Sequence, residues 1–244
     1  MNYKEYCKVR GVQRASPFAT SDFYEELYQI AVSRCTVLDD IEQMSVRKLS
    51  IFYRILQRGI DLLLSGFGLL IGAVPLLAIA IAVKIDSKGP VFYLQTRVGK
   101  NGEVFQMIKF RTMSDNAERT TGPVWAADQD PRLTFVGTFL RRTRLDELPQ
   151  LFNILKGDMT FVGPRPERPE FVYQFVQYIP AFDRRHDVKP GMAGFAQLRN
   201  GYDTSARSVY RKLRWDAQYM RNRCVTTDFC TLYRTVIAVL RGRV

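Results

Sequence analysis

Apolar and polar positions divide the chain into segments of different character, and the longest uninterrupted apolar segment comes first. From Leu62 to Val83 no residue carries a charge. A run of about 22 residues is long enough to cross a bilayer core of roughly 30 Å. The preceding stretch, residues 51–60, mixes apolar, aromatic and basic groups, as suits a membrane interface. Pro75 sits near the middle of the run, with Gly66, Gly68 and Gly72 before it. Proline removes a backbone donor and bends a helix. Arg54 and Arg58 flank one end, and Lys84, Lys88, Arg97 and Lys100 the other. A spanning helix normally carries its Lys/Arg bias on one side. A helix that enters the membrane, bends at Pro75 and returns accommodates both observations; a straight, kinked span is the alternative.

After the apolar run the pattern shortens to strand length. Two β-rich stretches, together about 91–112, are separated by Lys100-Asn101-Gly102-Glu103, and Asn-Gly between such runs predicts a hairpin. Lys109 and Arg111 alternate to one face of its second strand, as solvated charge or as phosphate contacts. Residues 114–130 read as a loop around Thr120 to Pro123, with Trp125 as a packing residue or an interfacial anchor. Residues 167–179 predict a helix rich in aromatics, 210–222 a helix with many basic residues, and 232–240 an apolar segment too short to span. Upstream, Asp22 and Glu25 predict a capping pair opening a short helix through Leu27, Ile30 and Ala31.

The densest chemistry lies in Arg141-Arg142-Thr143-Arg144-Leu145-Asp146-Glu147-Leu148-Pro149-Gln150. Arginines just before two adjacent carboxylates make a place where anions bind and a carboxylate stays ionised. Such a carboxylate can attack phosphorus or hold a metal. A charged helix face with solvated ion pairs is the competing reading. Pro149 lacks an N–H and belongs in a first helical turn, so the spacing predicts Asp146 as N-cap of a helix running to Gly157. Thr143 as N-cap, closing a capping box with Asp146, is ranked second because it sets Pro149 too deep. Adjacent residues do not share a helix face, so Asp146 and Glu147 should have different tasks.

Composition changes this picture in two ways. Lys and Arg number 36 against 24 Asp and Glu, a formal net charge of +12, which points to anionic partners: acidic lipid, phosphorylated substrate or nucleic acid. The four cysteines, Cys7, Cys35, Cys224 and Cys230, lack metal-ligand spacing and read as reduced thiols in a cytosol-facing protein. The single histidine, His186, argues against histidine-rich metal sites and reads as a structural or loop residue. No apolar leader opens the first twenty residues, and no nucleic-acid motif accompanies the basic charge.

Taken in order, the motifs resemble those of the bacterial sugar transferase family of monotopic phosphoglycosyl transferases. The residues that carry the resemblance are Arg58-x-x-Asp61, Pro75, Ser87-x-Gly89-Pro90-Val91-Phe92, Gln95-x-Arg97-x-Gly99, Lys109 to Met113, Asp130-Pro131-Arg132, Leu145 to Gln150, Gly157-Asp158-Met159-Thr160-x-Val162-Gly163-Pro164-Arg165-Pro166, and Lys189-Pro190-Gly191. The stretch from Gln197 to Asn222 looks like that of exopolysaccharide-type members.

The resemblance implies an α+β, mostly helical monotopic membrane protein with a re-entrant helix broken at Pro75, a hairpin and amphipathic interfacial helices. The expected division is a helical extension (1–50), the membrane helix (51–88) and a catalytic part on the cytoplasmic face (89–244). It implies transfer of a sugar-1-phosphate, expected to be a hexose, from a UDP-sugar to undecaprenyl phosphate at the bacterial inner membrane. Asp146 maps to the nucleophile and Glu147 to the Mg²⁺-binding glutamate; Lys109, Arg111, Arg141 and Arg165 are expected to bind the diphosphate. Asp158 is expected to orient an arginine or a metal-bound water, or else to cap a turn. A homodimer and membrane lipids complete the expected partners, without nucleic acid. Two departures stand out: Arg144 occupies the position where the family usually has serine, and the multi-helix domain of long members is not expected upstream. A membrane-anchored basic scaffold without catalysis is the alternative reading, and a straight-spanning membrane component a third.

Overall fold

In a computed structural model the chain is mixed α/β and mostly helical; the structure describes residues 1–9, 23, 26, 29, 46–114, 117, 130–200 and 206–242. The expected helix through 22–31, the loop around Trp125, and Gly201-Tyr202 lie wholly or largely outside the described residues. A short helix α1 (Tyr3–Val9) precedes the long apolar helix α2 (Ile51–Asp86). The hairpin follows as β1 (Phe92–Val98) and β2 (Val104–Phe110), then α3 (Phe135–Thr143), α4 (Gln150–Lys156), β3 (Thr160–Val162) and α5 (Pro169–Tyr178). The chain continues through β4 (Gly191–Ala193), α6 (Phe195–Asn200), α7 (Ala206–Asn222) and α8 (Val225–Leu240).

Helix α2 starts where Ser50 caps it, the hydroxyl accepting from the Tyr53 N–H. It then continues for 36 residues, and Pro75 lies inside it and does not end it. The expected break at Pro75 is therefore not a helix terminus: a mid-helix proline costs one backbone bond while the turns on either side keep theirs. Only 6% of the most apolar window of α2 is buried, so this is not the core helix of a soluble protein. Leu63, Phe67, Leu70, Ile71, Val74 and Leu77 all face outward.

Both ends of α2 are tied to the rest of the protein. Near its start, Arg58 donates to the carbonyls of Ile154 and Leu155 at the end of α4, and Asp61 accepts from Thr160 Oγ1 and the Phe161 N–H. Near its end, Val83 packs with Phe110 and Leu140, and Asp86 accepts from the Val136 N–H. The Arg58-x-x-Asp61 pair is thus a clamp: it satisfies carbonyls and amides that the ends of α4 and β3 leave open.

The hairpin pairs antiparallel from Phe92↔Phe110 to Val98↔Val104. Its turn holds Asn101 at φ 57° and Gly102 at φ 75°, the left-handed geometry that Asn-Gly tolerates best. Strands β3 and β4 pair in parallel, Thr160↔Gly191 and Val162↔Ala193. A Cβ on Gly191 would lie 2.0 Å from the Gly163 nitrogen, so only glycine lets the two backbones meet there.

The largest core gathers Tyr3, Phe171, Phe175, Phe182, Val209, Leu213 and Met220 from α1, α5, α7 and the 3₁₀ segment Pro180–Asp187. His186 lies at its edge, bonded to Asp183 and packed on the Tyr3 ring, a structural position. Two smaller cores seat α2. One holds Met107, Leu151, Ile154 and Met159 with Leu69; the other holds Val83, Phe110 and Leu140 with Leu76 and Leu145. The acidic pair lies in the short link between Leu145 and Leu151, so the two cores against α2 also set its place.

Candidate active site

Helix α3 ends at Arg144, which adopts φ 60°, ψ 12° and reverses the chain. Left-handed backbone is strained for an arginine, and it is repaid by the packing of Leu145 into the Val83 core. The 3₁₀ turn Leu145–Glu147 follows, and α4 begins only at Gln150, with Pro149 as N-cap. The expected N-cap role for Asp146 is thereby corrected: the Glu147 N–H bonds to Arg144 and the Leu148 N–H to Leu145, a tighter i+3 pattern that occupies the turn. Thr143 is no N-cap either; it closes α3, its hydroxyl bonded to Phe139 and Leu140 carbonyls. Gly157 does end α4, at φ 100°.

Both carboxylates are buried, Asp146 and Glu147 each 6% exposed. Arg165 grips Glu147 with two parallel bonds, Nη2 to Oε1 at 2.6 Å and Nη1 to Oε2 at 3.1 Å. Arg144 Nη1 stands 3.5 Å and Lys109 Nζ 3.8 Å from the same Oε1. Burial works to raise the Glu147 carboxyl, but Arg165 and Lys109 outweigh it and hold the group well below the usual carboxylate range. Asp146 goes the other way: burial and the neighbouring Glu147 charge raise its carboxyl, and Lys109, Arg165 and Arg144 offset only part of that. Burial pushes the Lys109 ammonium down to about 8 despite Glu147. Among the described residues, Asp146 Oδ1 has no hydrogen-bond partner, and neither does either end of the fully buried Gln150 amide, four residues on. Orphaned polar atoms beside a cationic cluster mark where a polar ligand would be received.

Each cation is placed by a separate element. Lys109 comes from β2, which is locked to α4 by Asn153: its Oδ1 accepts from the Ile108 N–H at 3.0 Å and its Nδ2 donates to the Gln106 carbonyl at 2.7 Å. Arg165 follows the β3–β4 crossing. Its carbonyl accepts from Arg185, itself paired to Asp216 at 2.7 Å, and Arg97 donates to the next carbonyl, Pro166. Glu167, bonded to Lys212 and near Arg97, completes this support.

The other sequence-named residues sit apart. Arg111 donates to Ser87 and to the Val83 carbonyl, capping the end of α2, while its Nε and Nη1 are buried without a partner among the described residues. Arg141 lies on the last turn of α3, where its charge helps hold the Asp130 carboxyl down, chiefly the work of Arg132. Asp158 pairs with Lys156 at 3.2 Å just past α4. Sequence reasoning missed Asn153 and Gln150 as members of the site. The signal was a polar residue inside an otherwise apolar helical stretch. Arg97 stood in the motif Gln95-x-Arg97-x-Gly99 without a role at the site, and Glu167 gave no local signal, because both act across distant parts of the chain.

The pair, with Lys109, Arg144 and Arg165 around Glu147, can take a metal of limited demands. No cluster of three or more His, Cys, Asp or Glu side chains suited to a metal occurs among the described residues. Magnesium uses one or two carboxylates and completes its shell with water and substrate phosphate, so Glu147 with the free oxygen of Asp146 fits that donor set. Arg165 already occupies both Glu147 oxygens and would have to share them.

A model of the bacterial sugar transferase family matches residues 52–242. The chain is similar to the UDP-N-acetylgalactosamine-undecaprenyl-phosphate N-acetylgalactosaminephosphotransferase of Aeromonas hydrophila, 41% identical over 190 residues, 78% of this chain and 45% of that protein. It is 40% identical over 187 residues to the UDP-glucose:undecaprenyl-phosphate glucose-1-phosphate transferase of Escherichia coli K12, 75% of this chain and 40% of that one. It is 36% identical over 197 residues to the exopolysaccharide production protein PSS of Rhizobium leguminosarum, 78% of this chain and 98% of that one. The chain therefore spans under half of the first two relatives and nearly all of the third.

Proposed function

The chain belongs to the bacterial sugar transferase family, and from that premise we propose that it transfers a sugar-1-phosphate, a hexose derivative, from a UDP-sugar to undecaprenyl phosphate. The observation that carries this reading is the buried Asp146, whose Oδ1 is unpartnered beside Lys109, Arg144 and Arg165. The Arg144 and Arg165 side chains are 23% and 20% exposed against 8% for Glu147, so an arriving diphosphate meets guanidinium groups first. An Asp146 oxygen attacks the phosphorus bonded to the sugar, and the bond to UMP breaks. A phosphate oxygen of undecaprenyl phosphate then attacks the same phosphorus and Asp146 leaves as carboxylate. Lys109 and Arg165 hold the non-bridging oxygens through both steps. Mg²⁺, held by Glu147, would neutralise charge on the diphosphate. Purified protein offered a panel of UDP-sugars with undecaprenyl phosphate is expected to release UMP with one or a few of them. No UMP from any, with strong salt-dependent binding of DNA instead, would favour the scaffold reading.

The membrane arrangement supports the same function. A 36-residue helix is roughly 54 Å long if straight. Yet α2 is tied to one catalytic domain at Arg58 and Asp61 and again at Val83 and Asp86. Helices α3 and α4, which flank it, also turn Phe135, Phe139 and Phe152 outward. We read this as a shallow, re-entrant seat in the inner membrane with the site at its cytoplasmic face, where a soluble donor meets a lipid acceptor. Cysteines placed at Ser50 and Ser87 should react with an impermeant reagent from the same side; labelling from opposite sides would establish a straight span.

The pH profile offers a further check. Lys109 has its ammonium lowered to about 8, so kcat/KM, which reports the free enzyme, should fall with loss of one proton above about pH 8. Lys109→Arg keeps the charge and should carry that limb upward. An unchanged limb in the arginine variant would assign it to another group.

A further inference from the structure

A cavity of about 710 Å³ opens between α6 and α8, and neither member of the acidic pair lines it. Three arginines line it, Arg199, Arg234 and Arg241, and none has a carboxylate partner among the described residues. Arg199 is pre-set: its guanidinium lies 4.1 Å over the Trp215 ring and 5.4 Å from the Phe195 ring. Stacking through its faces leaves the in-plane N–H donors for an anion. Phe195, Leu198 and Ile237 supply apolar wall between the cations.

The outer face of α8 carries Val225, Phe229, Tyr233, Val236 and Leu240, all exposed and at helical spacing. The start of α8 is tied to the start of α2 and to α7: Tyr53 of α2 and Tyr219 of α7 donate to the two carboxylate oxygens of Asp228 in the first turn of α8. Ile51, Phe52 and Ile55 are exposed beside that junction. An apolar stripe with arginines along its edge is the pattern of a helix lying in the headgroup layer.

We propose that the α6–α8 cavity binds the phosphate headgroup of an anionic membrane phospholipid, with Arg199, Arg234 and Arg241 as its ligands and the lipid chains running along the α8 stripe. The cavity lining contains neither Asp146 nor Glu147, and the lipid bound there serves as an anchor that does not pass through the reaction. The proposal rests on the membrane seat described above.

Trp215, under Arg199, is the reporter. The full-length chain carries two tryptophans, so Trp125→Phe leaves one. In reconstituted vesicles, brominated phosphatidylglycerol should quench Trp215 far more than brominated phosphatidylcholine at equal mole fraction. The triple variant Arg199→Ala/Arg234→Ala/Arg241→Ala should weaken the preferential quenching by on the order of a hundredfold in lipid affinity, while keeping UMP release. Single variants at Arg234 and Arg241 provide the same test if the triple variant fails to fold, each with a partial loss. Equal quenching by the two lipids, wild-type quenching in the variants, or quenching undone by excess inorganic phosphate would each overturn the assignment. Failure of the chain to enter vesicles at all would instead sink the membrane seat, and with it this site.

Discussion

Asp146→Asn is expected to abolish both UMP release and the formation of phosphosugar-labelled protein, with turnover falling on the order of 10⁴-fold or more. The substitution preserves shape but removes the charge that attacks phosphorus. It also separates chemistry from folding. Burial and the Glu147 charge already disfavour the ionised Asp146, raising its carboxyl. A raised native pKa means that ionising the group costs stability, so native stability falls as pH climbs past the ordinary carboxylate range. A neutral asparagine avoids that cost, and the variant should unfold at the same temperature as the parent or higher. Dead enzyme with an intact thermal transition is the expected pair of results. Labelled protein or full turnover in the variant would remove Asp146 from the first step.

Arg165→Met should be nearly as damaging to activity and much worse for the fold. Arg165 makes the two bonds that hold Glu147, and its removal leaves a buried carboxylate with Lys109 and Arg144 at 3.8 and 3.5 Å. Breaking one side of a buried pair costs about 3–5 kcal/mol, because the remaining charge is stranded. Denaturant unfolding should show the loss directly. The acid response carries a second signature. Glu147 is held below the usual range in the native state, so it contributes stability that is present above the ordinary glutamate pKa and lost as pH falls. In Arg165→Met that acid-dependent loss should shrink. The double variant with Glu147→Gln should recover stability without activity. A single variant as stable as the parent would show that Arg165 does not hold the pair. Arg165→Lys, which keeps the charge but not the fork, should fall between.

Several features were open to a reader of the sequence because they depend on a few neighbouring residues. Asn101-Gly102 allowed the left-handed turn and hence the hairpin, and the turn forms there. Gly157 allowed the left-handed end of α4, and α4 ends there. The start of α4 could not be read the same way. Pro149 is compatible with several early helical positions, and the choice fell to Arg144, whose left-handed backbone tightens the turn so that Leu145 enters the Val83 core.

The membership of the site shows the same division. Arg141 and Arg144 are near-neighbours in sequence, yet the reversal at Arg144 sends one toward Asp130 and the other toward Glu147. Lys109 and Arg111 share strand alternation, but β2 ends between them, so one meets Glu147 and the other caps α2 at Ser87. What the amino-acid order determined alone is local: turn geometry, the charge-free run of α2, and two carboxylates adjacent to arginines. What the tertiary structure decided is which cations reach them. That choice depends on docking α4 to β2 through Asn153 and on the glycine-only crossing of β3 and β4 that delivers Arg165. Charge attracts at any sequence separation, but a buried pair is stable only where backbone packing brings both partners within hydrogen-bond reach.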